Sequence, residues 1–134
     1  MSQPVTDAKA FYEAGREGRF QDIPALLHSD FEFHPMAGFP HGRPYRGWAA
    51  VATEFFPALA SEFESWAAIP SDIVAADGRR VLVMGHYHAG IKGTTEIATI
   101  PFVHVWETRE GRLLTAYSYT DTLLVQAAAA RGRG

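Results

Sequence analysis

The pattern of apolar and polar positions predicts helices in the first half of the chain. Apolar side chains recur at three- and four-residue intervals over residues 6–16 and 47–64, as on one face of a helix. Between these segments, Asp22 and Pro24 are typical of the start of a short second helix. Residues 30–34 alternate between apolar and polar and predict a short strand. Pro57 should kink or shorten the third helix, because proline removes a backbone donor.

After Pro70 the apolar positions alternate with a period of two, which is typical of strands with one buried face. Such long strands, joined by short turns, predict antiparallel pairing. The fold class expected is α+β: three N-terminal helices pack into the concave face of a curved, mostly antiparallel sheet, as in a cone-shaped α+β barrel. The predicted strands cover residues 71–76, 79–91, 94–108 and 112–125.

Composition narrows the domain and function classes. The chain has 134 residues, of which 47% are hydrophobic, enough for one domain with a real core. We expect that domain at residues 1–126, followed by a flexible tail rich in Ala, Arg and Gly at 127–134. The net charge of −3, with only a loose Arg131 and Arg133 pair at the end, argues against a nucleic-acid partner.

The same composition argues against membranes, disulfides and thiol chemistry. No apolar run reaches about 18 residues, and no basic segment followed by an apolar run opens the chain, so neither a membrane span nor a signal peptide is expected. A cytoplasmic protein is the expectation. The chain has no cysteine, so any chemistry has to use His, Asp, Glu, Tyr, Arg or Lys.

Three histidines on predicted strands are the first candidates for a site. His86 and His88 are two residues apart, so both leave the same face of one strand, whereas Tyr87 leaves the other. His104 shares its face with Phe102 on the next strand and could lie near the pair. Histidine suits acid–base or hydrogen-bonding work on a substrate. The alternative is that each is a structural residue of the sheet.

Metal and cofactor sites have weaker support. A His-x-His pair with a third histidine can bind zinc. However, Glu96 follows too late for a cupin-like site, and three leading helices are the wrong architecture. No glycine-rich phosphate loop and no nucleophile elbow is present. We therefore predict neither a metal nor an organic cofactor.

Asp121 and His34 are candidates for proton transfer. Asp121 follows Tyr119 near the end of the last predicted strand, where it could act as a general base or cap the following turn. His34 closes the first strand before a proline-rich loop, either at the mouth of a cavity or exposed at the strand end. Aromatic side chains could line a pocket or belong to the core. Candidate substrate-binding residues are His86, His88, Tyr12, Tyr45, Trp48, Phe55, Phe102 and Tyr119.

Several local strings together resemble one known superfamily. They are Phe11-Tyr12, Asp30-Phe31-Glu32-Phe33-His34-Pro35, Tyr45-Arg46-Gly47, Val103-His104-Val105-Trp106 and Tyr119-Thr120-Asp121-Thr122-Leu123. With the order of predicted elements, they resemble the nuclear transport factor 2-like superfamily, in its SnoaL-like and ketosteroid isomerase-like branch. The resemblance covers nearly everything from Ala8 to Gln126.

The resemblance implies roles for individual residues. Asp121 matches the aspartate that looks like the acid/base of SnoaL-type polyketide cyclases. His104 falls close to the oxyanion-stabilising aspartate of ketosteroid isomerases, and His34-Pro35 lies at or next to their Asp-Pro base. The oxyanion tyrosine of those isomerases falls on Phe11 or Tyr12. Histidine thus replaces both carboxylates of the isomerase pattern.

Two functions follow as expectations. The first is a cofactor-independent enzyme that transfers a proton on a hydrophobic substrate, such as a polycyclic one, as an isomerase, cyclase or lyase. The second is a noncatalytic module that binds a small apolar ligand or a partner protein. Outward-facing Ile97, Val103 and Val105 on the predicted sheet also favour a homodimer through that face.

Overall fold

A curved six-stranded sheet forms the frame of the computed structural model, which describes residues 2–134. The first residue of the predicted domain lies just outside that range. The strands are β1 (Leu27–Pro35), β2 (Tyr45–Arg46), β3 (Phe63–Ala75), β4 (Arg80–Ile91), β5 (Ile97–Arg109) and β6 (Arg112–Thr120). The helices are α1 (Gln3–Arg16), α2 (Trp48–Ala50, continued through Val51–Phe55 and Phe56–Glu62) and α3 (Thr122–Gly132).

The strands lie in the order β2-β1-β6-β5-β4-β3. Strands β3 to β6 form an antiparallel meander, and β1 returns beside β6 as the parallel pair. The helices pack on this sheet, and the sheet is open rather than closed as a barrel. The predicted α+β class with a mostly antiparallel sheet is confirmed.

The second and third predicted helices differ in detail from the structure. Two short 3₁₀ turns, Phe20–Asp22 and Pro24–Leu26, replace the second helix. In α2, a π-helical turn over Val51–Phe55 comes directly before Pro57. A local change of winding is a common way to accommodate a residue that has no backbone N–H.

Strand β3 begins earlier than predicted, at Phe63, where α2 ends. Its pairing with β4 shifts register between Pro70 and Asp72. Opposite this shift, a side chain at Gly85 would collide with the carbonyl oxygen of Ile69 and come within 2.9 Å of Phe102 Cζ. Because position 85 has no side chain, β3 and the Phe102 ring can lie close to the backbone of β4.

The C-terminal segment differs most from the prediction. Strand β6 ends at Thr120, and residues 122–132 form α3 instead of a strand end followed by a flexible tail. Val125, Ala128 and Ala129 are buried. Runs of alanine favour helix, and here the small side chains allow α3 to pack closely. None of the helices in residues 2–134 combines the length and apolar character needed to cross a bilayer.

Candidate functional site

His104 lies between two tyrosines on the inner face of the sheet. Its Nδ1 is 2.6 Å from the hydroxyl oxygen of Tyr12 on α1. Its Nε2 is 2.7 Å from the hydroxyl oxygen of Tyr87 on β4. Both ring nitrogens are therefore hydrogen-bonded, one to a helix and the other to the neighbouring strand.

The hydrogen bonds continue beyond both tyrosines. Trp106 donates from Nε1 to the Tyr12 hydroxyl oxygen at 2.9 Å, and the Tyr87 hydroxyl is 2.7 Å from Ser118 Oγ. We call the five residues Trp106, Tyr12, His104, Tyr87 and Ser118 the His104 chain. It connects α1, β4, β5 and β6, so the chain is complete only when the helix is docked on the sheet.

Regular strand geometry explains why these side chains meet. In the β4–β5 pairing Val83 is opposite His104, and in the β5–β6 pairing His104 is opposite Ser118. Residues directly opposite one another in a sheet point to the same face. On β4 the buried residues Val83 and Tyr87 are four apart, an even spacing that places Tyr87 on the inner face beside His104.

Aromatic rings surround the His104 chain. Phe102 stacks on the His104 ring with centroids 4.0 Å apart and an interplanar angle of 20°. Tyr87 packs against Phe102 and Trp66 at centroid distances of 4.6 Å each. Phe11 packs edge-on against Trp106 at 4.8 Å. The polar chain is thus enclosed by apolar surface, which strengthens its hydrogen bonds and raises the cost of an unpaired group.

Burial shifts the pKa of each titratable group in the chain. It lowers the pKa of His104 to about 3, because the imidazolium is poorly solvated there. Burial also raises the pKa of Tyr12 and Tyr87 well above the ordinary value for a phenol, although the hydrogen bonds of Tyr12 with Trp106 and of Tyr87 with Ser118 oppose this. At neutral pH the site therefore contains a neutral imidazole between two neutral phenols. His104 nevertheless keeps some accessible surface.

The other predicted histidines lie outside this chain. His86 and His88 are exposed on the outer face of β4, because Tyr87 takes the inner position between them. His34 is also outside the chain: its Nε2 is 3.0 Å from Glu32 Oε1, and its ring stacks on Tyr117 at 4.6 Å. In the structure these three residues therefore do not line the interior, contrary to the roles assigned to them from the sequence.

Asp121 is exposed and forms the N-cap of α3, where its carboxylate accepts a hydrogen bond from the Leu124 N–H at 3.1 Å. This is the capping alternative that the sequence left open, and it places Asp121 outside the aromatic interior. Tyr119 is likewise 48% exposed. The structure therefore removes Asp121 and Tyr119 from the candidate interior site.

The remaining candidates belong to the interior. Tyr12 and Phe102 are part of, or in contact with, the His104 chain. Tyr45 is buried and donates from its hydroxyl to the His41 carbonyl at 2.7 Å. Phe55 is buried against Tyr45, and Trp48 is partly buried. These three aromatics belong to the core that surrounds the site.

Sequence reasoning missed Tyr87 and Ser118 as site residues. For Tyr87 a signal was available, because it is in phase with Val81, Val83 and Ala89 along β4. The prediction instead favoured His86 and His88 for their chemistry, and these lie on the opposite face of β4. Ser118 could be found only through its cross-strand pairing with His104.

The described residues hold no group of three or more His, Cys, Asp or Glu side chains that could bind a metal ion. Two open clefts lie away from His104. One, of about 590 Å³, is lined by charged residues of β1, β2 and β5, including Glu32, Arg46 and Arg109. The other, of about 390 Å³, lies between α1 and β3.

Comparison with known proteins identifies the family. The family model described as SnoaL-like domain matches residues 8–115. A comparison with curated proteins finds no match. Several solved structures share the fold, and their sequence identities are low.

TerC co-crystallised with polyporic acid has a TM-score of 0.87 and 23% identity, over 96% of this chain and 99% of that chain. An NTF2-like protein from Burkholderia thailandensis E264 has a TM-score of 0.86 and 26% identity, over 96% of this chain and 98% of that chain. A protein with a ketosteroid isomerase-like fold from Catenulispora acidiphila DSM 44928 has a TM-score of 0.74 and 16% identity, over 92% of each chain. These matches confirm the resemblance in fold, and with a family match over most of its length the chain belongs to the SnoaL-like domain family.

Proposed function

We propose that this protein is a small-molecule enzyme of the SnoaL-like, ketosteroid isomerase-like type, with the cytoplasm as its expected location. It transfers a proton without a cofactor on a hydrophobic substrate, as an isomerase, cyclase or lyase. The observation that supports this most strongly is His104, held between the hydroxyls of Tyr12 and Tyr87 inside an aromatic interior.

The chemistry of the chain suits a developing oxyanion. Moving a proton next to a carbonyl places negative charge on oxygen, and neutral donors in a low-dielectric site stabilise that charge. Tyr12 and Tyr87 remain protonated at neutral pH, because burial raises the pKa of both. Removing one donor from an oxyanion-stabilising site typically costs about 10²–10³ in turnover.

A residue other than Asp121 or His34 has to accept the proton. Asp121 caps α3 and His34 pairs with Glu32, so neither is placed to take a proton from an interior substrate. A neutral imidazole has one unprotonated nitrogen. In the proposal, the substrate displaces a tyrosine from the unprotonated nitrogen of His104, this nitrogen accepts the substrate C–H proton, and the displaced tyrosine donates to the substrate oxygen as negative charge develops there. His104 then returns the proton to another substrate carbon, so atoms and charge balance.

A noncatalytic binding module is the second candidate. The observation that favours it is the absence of a carboxylate from the His104 chain, together with the low pKa of His104, which makes the imidazole a weak base. Such a module would bind a small apolar ligand on the same aromatic surface. TerC shares the fold and was co-crystallised with polyporic acid, so polyporic acid is a reasonable first probe for binding.

Deuterium exchange separates the two functions. The protein is incubated in D₂O with 2-tetralone, a bicyclic ketone with exchangeable protons next to its carbonyl, and loss of the proton signal is followed by NMR. The enzyme proposal expects exchange above the buffer rate, reduced about 10²-fold or more in Tyr12→Phe and unchanged in Tyr117→Phe, whose hydroxyl lies outside the chain. Polyporic acid binding without exchange would support the binding module, and neither binding nor exchange would contradict both.

A homodimer through the outer face of the sheet is part of the same proposal. Val103 and Tyr119 are paired neighbours on β5 and β6 and are 38% and 48% exposed. Burying such a patch against a second copy would remove apolar surface from water. Light scattering should give twice the monomer mass, and Val103→Glu should return it to the monomer. A wild-type monomer at micromolar concentration would contradict this.

A further inference from the structure

The direction of the hydrogen bonds in the His104 chain can be derived by counting hydrogens. Trp106 has only a donor, so it must donate to the Tyr12 oxygen. The other four members each have one hydrogen on oxygen or nitrogen, since His104 is neutral. These four hydrogens serve three links, namely Tyr12–His104, His104–Tyr87 and Tyr87–Ser118. One hydrogen is therefore left over. It cannot belong to His104, because a neutral imidazole accepts on only one of its two nitrogens, so the spare hydrogen is on Tyr12, Tyr87 or Ser118.

Three arrangements are possible. In the first, Tyr12 donates to His104 Nδ1, His104 donates from Nε2 to Tyr87, and Tyr87 donates to Ser118, so the spare hydrogen is on the Ser118 hydroxyl. In the second, every link is reversed, His104 carries its hydrogen on Nδ1, and the spare hydrogen is on Tyr12. In the third, Tyr12 donates to His104 Nδ1, while His104 and Ser118 both donate to Tyr87, so the spare hydrogen is on Tyr87.

The three arrangements differ in how freely the spare hydrogen can turn. In the second, Tyr12 accepts from both Trp106 and His104, and its own hydrogen, confined to the plane of the ring, has no partner. Tyr12 is 4% exposed and is packed against the rings of Phe11 and Trp106, and the third arrangement leaves the hydrogen of the equally buried Tyr87 in the same position. An unpaired donor on such a phenol is costly. Ser118 is also buried, but its hydroxyl rotates about a single bond and is not confined to the plane of a ring.

We infer that the chain runs in one direction, from Trp106 to Ser118, and that Ser118 is a positioning residue that holds His104 in the Nε2–H tautomer. Ser118 acts through Tyr87, because within residues 2–134 its Oγ is hydrogen-bonded to the Tyr87 hydroxyl. By accepting from Tyr87, it makes Tyr87 the acceptor for His104. Nδ1 of His104 is then the unprotonated nitrogen, on the side of Tyr12.

Nitrogen NMR tests the direction without any ligand. In the ¹⁵N-labelled full-length protein, protonated and unprotonated ring nitrogens have well-separated shifts, and comparison with His104→Gln assigns the His104 signals. We expect the Nε2–H form to exceed the Nδ1–H form about tenfold or more in wild type. In Ser118→Ala the spare hydrogen falls on a buried phenol in either direction, so both tautomers become populated and the two nitrogen shifts move toward each other. Tyr117→Phe, which removes the neighbouring hydroxyl on the opposite face of β6, should change neither shift.

Two results would overturn the inference: a wild-type His104 in the Nδ1–H form, or a folded Ser118→Ala protein in which Nε2–H remains the single tautomer. If Ser118→Ala does not fold, the wild-type spectrum alone decides the tautomer, and with it whether Tyr12 donates to His104.

Discussion

Tyr12 and His104 are 92 positions apart in the chain, and the Tyr12 hydroxyl oxygen lies 2.6 Å from His104 Nδ1. This contact ties the first helix to the middle of the fifth strand. Because Trp106 also donates to Tyr12, the same phenol joins two residues of one strand to the helix. Docking of α1 and completion of the candidate site are therefore one event.

Removing the Tyr12 hydroxyl should destabilise the fold. Tyr12→Phe leaves the Trp106 N–H without its acceptor and His104 Nδ1 without its partner, both in buried surroundings. We expect a loss of about 1–3 kcal/mol in the free energy of unfolding, measured by urea denaturation. Tyr119→Phe, which removes an exposed hydroxyl, should change the value by less than about 0.5 kcal/mol. Equal effects in the two variants would show that the His104 chain does not contribute to stability.

Lowering the pH should reduce the free energy of unfolding through the protonation of His104. The unfolded histidine binds a proton near its ordinary pKa of about 6.5, whereas burial holds the folded pKa at about 3. Between these values the unfolded state binds more protons, so stability falls as pH falls, by at most about 1.4 kcal/mol per pH unit from this residue. Subtracting the profile of His104→Gln from that of wild type isolates the effect. The difference should be flat above pH 7 and should decline between pH 6 and 4. A difference that is flat throughout would show that His104 titrates normally.

Asp121 should act as a cap and not as a catalytic base. Asp121→Ala removes the acceptor for the Leu124 N–H and should cost about 1 kcal/mol of stability. Asp121→Asn keeps an N-capping oxygen and should be nearly neutral. Both variants should retain wild-type 2-tetralone exchange. If Asp121→Asn were stable but exchanged 2-tetralone 10²-fold more slowly, the carboxylate would have a chemical role that its position does not explain.

Glycine at position 85 should be required for the packing around His104. Gly85→Ala places a methyl group against the Ile69 carbonyl and 2.9 Å from Phe102 Cζ, and Phe102 stacks on His104. Overpacking of this kind costs about 1–3 kcal/mol. Gly78→Ala is the matched control, because a Cβ there would meet no atom within 4 Å. Thermal unfolding should show a clear loss for the first variant and little change for the second. A neutral Gly85→Ala would mean that β3 can move away from β4.

The sequence predicted the sheet better than it predicted the site. Alternation placed Phe102, His104 and Trp106 on one face of β5, and the structure confirms that face as the inner one. The same rule applied to β4 places Tyr87 inside and His86 outside. The histidines were preferred as candidates because of their chemistry, although the apolar positions of the strand indicated the other face.

Other parts of the site depend on long-range geometry that local pattern does not contain. Asp121 continues the alternation of Tyr117 and Tyr119, so the strand was expected to run past it. The backbone instead turns into α3 at Asp121, whose side chain caps the new helix. Ser118 gains its role only because β6 pairs with β5 in a register that places it opposite His104.

The most direct test of an interior site is an NMR titration of the labelled protein with polyporic acid, with the six histidine side chains followed together. We predict that saturation shifts the ring signals of His104 and leaves those of the exposed His86 and His88 unchanged. Saturable shifts confined to His34, His86 or His88, with His104 unmoved, would place binding on the outer face of the sheet and contradict the account.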